Sequence, residues 1–69
     1  MTTFHTGDTV EWNTSQGSTH GTVVSTHTED LEFEGQTFRA SPEDPVHIVE
    51  SEKTGARAAH HAKALRARS

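Results

Sequence analysis

The sequence predicts an all-β fold, a small and strongly curled barrel of about five short strands with a short C-terminal helical turn. Three observations carry this expectation. Apolar and polar residues alternate over short runs, the signature of half-buried strands. Turns built on glycine, asparagine, aspartate and proline separate those runs. Hydrophobic residues make up only 29% of the 69 residues, and seven of them are alanine. So thin an apolar supply suits one core inside a sheet closed on itself, and excludes a dinucleotide-binding unit or a barrel enzyme.

Taken in order, Gly7-Asp8 is a turn before Thr9-Val10-Glu11-Trp12, in which Val10 and Trp12 face one way. Asn13 to Gly17 is a loop. Ser18 to Thr26, rich in β-branched residues, is a second strand, and Gly21 inside it marks a bulge or a close backbone approach. Leu31 and Phe33 alternate with Glu32 and Glu34. A turn at Gly35-Gln36 then leads into Thr37-Phe38-Arg39, making a hairpin with one apolar face. Pro42 and Pro45 confine the next segment to a loop, where Ser41 and Asp44 are placed to cap backbone donors, as Asp8 is in its own turn. Val46 to Ser51 is a strand, although Val46, Ile48 and Val49 do not alternate strictly. Lys53-Thr54-Gly55 is a tight turn. A last strand is expected near Arg57–His60, then a helical turn near Ala62–Leu65. The whole chain, 1–69, reads as one domain with an ordered core from about 4 to 65 and a frayed basic tail over 66–69. At this size an SH3-like barrel resolves the problem of exposed sheet edges.

Composition narrows the chemistry. With no cysteine, disulfides, thiolate catalysis and zinc ribbons are excluded, and a reducing, cytoplasmic location fits. The N-terminal residues lack the basic and apolar regions of a signal peptide, and no apolar run is long enough to span a membrane. The formal net charge is −4, unevenly spread: all ten acids and Arg39 fall within residues 1–52, whereas Lys53, Arg57, Lys63, Arg66 and Arg68 crowd 53–69. Such a basic segment either neutralises the acidic body or meets an anion. Protonation of the six histidines would reverse the sign of the net charge in mild acid.

A set of residues resembles a known family. These are Gly7-Asp8-Thr9-Val10-Glu11-Trp12, Gly17, Gly21-Thr22-Val23, Phe33-Glu34-Gly35, Ala40-Ser41, Asp44-Pro45, Val49 through Gly55, and Ala58-Ala59-His60. Together they are similar to the hypervirulence-associated protein Tudor-like domain family, over roughly Phe4 to Leu65. The stretch Ser51-Glu52-Lys53-Thr54-Gly55 followed by Ala58-Ala59-His60 is the most specific part. The chain departs at His61-Ala62, where the family pattern has Lys-Pro. The resemblance implies a Tudor-type barrel and supplies no reaction or ligand.

Functional residues are weighed on the same footing. A cage for a methylated cation needs several aromatic faces, and this chain has Phe4, Trp12, Phe33 and Phe38, most of which the core requires. The six histidines show no metal-ligand spacing, so no metal and no cofactor are expected. His60 reads first as a structural histidine bonded to a turn carbonyl or to an acid such as Asp44. Lys53-Thr54-Gly55 lacks the glycine spacing of a phosphate loop. No serine, histidine and acid form a nucleophile setting, so no catalysis is expected. The expectation is a non-catalytic interaction module that binds a protein partner or another copy of itself. Trp12, Phe38, Lys53, Arg57 and His60 are its candidate ligand-binding residues. The alternative is weak, salt-sensitive nucleic-acid binding through Lys53, Arg57, Lys63, Arg66 and Arg68.

Overall fold

Alternation makes Thr9–Thr14 a strand (β1) with Val10 and Trp12 turned inward, and it pairs antiparallel with β2 (Gly17–His27). The structure, a computed structural model, describes residues 4–15 and 17–68. β2 is long enough to serve two neighbours. Its first part lies against β1, and from Gly21 onward it lies against β5 (Val46–Ser51), with Gly21 opposite Ser51 and His27 opposite Val46. A bulge between Val23 and Ser25 shifts the register, and such an extra residue bends the strand. Of the two readings of Gly21, close approach is the one realised: a Cβ there would run into the carbonyl of Glu50 on β5.

Between β2 and β5 the chain makes a separate two-stranded sheet, β3 (Leu31–Phe33) and β4 (Gln36–Phe38), with Leu31 opposite Phe38. Its turn is Glu34-Gly35, one residue earlier than expected, and both residues have positive φ, 51° and 78°. This is the handedness that matches the strand twist. The following crossover is capped as expected, with Ser41 Oγ accepting from the Asp44 N–H at 3.1 Å. Asp8 Oδ2 likewise accepts from the His5 N–H at 2.8 Å.

β6 (Arg57–His61) pairs with β5 along one side. A single 3-10 turn, Ala62–Ala64, then carries the chain from that edge of the sheet to the opposite one. There β7 (Arg66–Ala67) pairs with β1, giving the order β6-β5-β2-β1-β7. Of the expected frayed tail over 66–69, residues 66–68 are instead held against β1. Leu65, only 6% exposed, anchors the end of the turn in the core. Beyond it the Arg68 N–H donates to Thr9 at 3.0 Å, and the Arg68 guanidinium meets Glu11 at 3.0 Å. Two residues are too few to show a strand period, so the pattern alone could not reveal β7. Ser69 lies outside the described residues.

The core gathers Phe4, Val10, Trp12, Val23, Val49, Ala62 and Leu65. Val46 and Ile48 are also buried, on the other face of β5 from Val49. A strand buried on both faces has no need to alternate, which explains the irregular pattern noted above. His47 is buried on the inner face. Its Nδ1 shares a hydrogen bond with Thr26 Oγ1 at 2.9 Å, its ring and that of Phe4 pack T-shaped with centroids 5.5 Å apart, and no protein group among the described residues satisfies Nε2.

Three outcomes follow from this packing. Gly21→Ala places a Cβ against backbone that cannot swing aside. It is expected to cost about 3 kcal/mol, the upper end for overpacking, and to lower the melting temperature by about 10 °C or more. Glu34→Asn relieves a left-handed conformation that asparagine tolerates better. Chemical denaturation should show a gain of about 0.5–1 kcal/mol, comparable to other conformational relief in turns. Burial lowers the pKa of His47 below its ordinary 6.5, with Asp8 opposing that shift and His5 adding to it, and burial alone lowers that of His60. Below pH 6.5 the unfolded chain takes up protons that the folded chain refuses, so stability falls as the pH drops from 7 to 5. The urea midpoint should decline over that range, and decline less steeply in His47→Leu.

Candidate functional site

The segment after β5 explains how the site is built. The Gly55 N–H donates to Ser51 at 2.8 Å, and the Ala56 N–H donates to Thr54 Oγ1 at 3.2 Å, which closes a compact turn. The Glu52 N–H donates to the carbonyl of His20 at 3.1 Å, and the Glu52 carboxylate stands 3.3 Å from the His20 ring. The turn is thus pinned to β2, and Lys53 and Thr54 are held at the open end of the barrel.

There they meet the end of the β1–β2 hairpin. Between the two lies a groove of about 420 Å³, with Trp12 and Ala58 on its apolar side and Lys53 and Arg57 on its cationic side. Hydroxyls from both walls, including Ser18, Thr19, Ser51 and Thr54, complete the lining. Trp12 is 6% exposed, so it serves mainly as core and shows the groove only a margin. Arg57 is oriented by Glu50, whose Oε1 accepts from Nε at 3.0 Å. Lys53 is exposed and makes no ion pair among the described residues.

This geometry belongs to a chain whose residues 7–65 match a family model described as the TUDOR domain of hypervirulence associated proteins. The chain belongs to that Tudor domain family. Comparison with curated proteins and with solved structures gave no significant match. Tudor-like domains are in general non-catalytic binding modules, and no helix among the described residues is long and apolar enough to cross a membrane.

Within the Tudor domain, Trp12, Lys53 and Arg57 come together at the groove. His60 lies behind it, its ring 5.7 Å from that of Trp12, half-buried and favouring the neutral form. The Asp44 contact expected of His60 belongs instead to its neighbour: His61 Nδ1 stands 3.2 Å from Asp44 Oδ2, out of line for a hydrogen bond. The register of β6 decides this, since His60 shares the inner face with His47, whereas His61 faces the other way opposite Val46. Phe38 is placed elsewhere, on β4 against Leu31 and away from the groove lining. Among the described residues Trp12 is the one aromatic in that lining, which does not make an aromatic cage.

The five cations of the nucleic-acid alternative do not line one groove. Lys63 and Arg66 border a second groove of about 580 Å³ beside Glu43 and Asp44, and Arg68 is paired with Glu11. Among the described residues no three metal-binding side chains gather. Ser25 Oγ and His27 Nε2 lie 3.0 Å apart, but neither residue lines either groove. Sequence reasoning missed the hydroxyl lining. Two serine- and threonine-rich turns were visible, but their convergence depends on the long-range pairing of β2 with β5.

Proposed function

We propose that this Tudor domain is a non-catalytic, protein-binding module whose groove receives an acidic segment of a partner. The observation that carries the reading is the groove itself: an apolar margin of Trp12 and Ala58 beside Lys53 and Arg57, on a chain whose formal net charge is −4. Hydroxyls around it supply hydrogen bonds that fix an extended backbone or a carboxylate. A cysteine-free chain suits a reducing compartment, and a cytoplasmic location is part of the proposal.

The test is an amide NMR titration with a glutamate-rich peptide, and in parallel with a pool of short single-stranded RNA and DNA at low and near-physiological salt. The peptide should shift Trp12, Ser51, Lys53 and Arg57. Lys53→Glu should weaken it by about fivefold to tenfold, roughly the effect of reversing one exposed charge at an interface. Nucleic-acid shifts should vanish at the higher salt. Nucleic-acid shifts that persist there and spread over Lys63, Arg66 and Arg68 would overturn the proposal.

A further inference from the structure

The groove has a second property that comes from the backbone. β6 is an edge strand, bonded to β5 on one side, and among the described residues no strand pairs with its other side. The phase of the β5–β6 ladder shows which groups face outward. The Ser51 N–H donates to Ala56 directly across at 2.8 Å, and at the far end the Ala62 N–H donates to Pro45 at 3.1 Å. Both bonds fit the register that sets Glu50 against Arg57 and Val46 against His61. In an antiparallel pair only every second pair exchanges hydrogen bonds. The bonded pairs are therefore those at Ala56, Ala58, His60 and Ala62. Arg57, Ala59 and His61 turn their N–H and C=O groups away from β5, toward the open edge.

That edge adjoins the groove, since Ala56, Arg57 and Ala58 all line it. We propose that the partner segment binds as an added antiparallel strand on β6. The inference rests on the acidic-segment reading above and specifies how that segment is held. A residue set opposite Arg57 or His61 exchanges both backbone hydrogen bonds with it and lies on the same face as its side chain. An acid opposite Arg57 therefore meets a cation, and one opposite His61 meets an imidazole. The residue opposite Ala58 points to the inner face, toward Ala58 and Trp12, and there an apolar side chain fits. The recognised segment alternates acidic and apolar residues.

Charge argues for such a partner over a second copy of this chain. Two β6 strands paired about Ala59 would set Arg57 of one copy against His61 of the other, with no acid in the paired strands. Like or neutral pairs across strands bring no electrostatic gain, and like charges are destabilising. The same cationic edge discourages indiscriminate pairing of edges, as edge strands generally require.

The experiment uses an acetylated, amidated octapeptide alternating glutamate and valine, with two versions N-methylated at either the glutamates or the valines. Under the proposed register the glutamate N–H groups bond to β6 and the valine N–H groups face solvent. The parent and the valine-methylated peptides should shift the groove and slow hydrogen exchange at Arg57, Ala59 and His61. Methylation at the glutamates should weaken binding at least about tenfold, given several lost hydrogen bonds. Ala59→Pro should do the same while leaving the β5–β6 ladder intact, because its lost N–H faces outward. Equal binding of all three peptides, with shifts confined to Trp12, Lys53 and Arg57, would overturn strand addition and leave the groove reading standing. No shifts with any peptide would overturn both. Concentration-dependent shifts at β6 without peptide, with dimers in sedimentation, would make a second copy the occupant and overturn the proposal. The peptide arms read out even if Ala59→Pro fails to fold.

Discussion

The approach of β5 to β2 at Gly21 is the constraint on which the rest of the structure depends. At that point the carbonyl of Glu50 occupies the space that a side chain would need. A missing Cβ allows the two backbones to meet, and β2 can then leave β1 for β5 within a single strand. The bulge after Val23 completes the bend. Without this crossing the sheet would remain a hairpin with a detached pair, and the seven residues of the core cluster would have no common interior. The crossing also delivers the turn after β5 to the carbonyl of His20, and so sets Lys53 beside the end of the β1–β2 hairpin. Fold and site rest on one backbone contact.

Local features of this arrangement were legible in the sequence because they are written locally. The alternation of Val10 and Trp12, the capping by Asp8 and Ser41, and the helical turn before Leu65 each depend on neighbours a few residues away. Features set by long-range register were not legible. Which of His60 and His61 faces Asp44 depends on how β6 aligns with β5, and a shift of one residue exchanges their faces. Phe38 has the composition of a site residue but belongs to a hairpin whose position no local pattern specifies. β7 forms because β1 has an unpaired edge and Leu65 brings the chain to it. Neither cause is visible in Arg66-Ala67 itself. The resemblance to the family marked the Ser51–Gly55 turn as distinctive, and the structure supplies the reason: that segment ties β5, β6 and β2 together.

The uneven charge of the chain resolves into separate roles. Arg57 is paired with Glu50 and Arg68 with Glu11, both at 3.0 Å, and Lys63 and Arg66 border a groove that also holds Glu43 and Asp44. Much of the C-terminal positive charge is thus spent locally against the acidic body. Exposed pairs of this kind contribute little stability, but they orient side chains and cancel the field that a free basic tail would project. Lys53 differs, because it is exposed and makes no ion pair among the described residues. The electrostatic preference of the domain is therefore concentrated at one end rather than spread along a phosphate-binding stripe.

A barrel this small has little interior to give to a ligand. Its core is filled, the grooves described above are open to solvent, and its buried histidine, His47, packs against Phe4. What it can offer a partner is backbone, and a closed sheet would offer none. The 3-10 turn takes the chain from β6 to β7 on the opposite edge, and among the described residues the outer side of β6 stays unpaired, so the sheet keeps an edge on which a partner strand would bind. Main-chain hydrogen bonds are indifferent to side-chain identity and supply affinity; selectivity must then come from the few side chains beside them. Under the proposed binding mode, Arg57 on one face of β6 and the Trp12–Ala58 margin on the other would provide that discrimination.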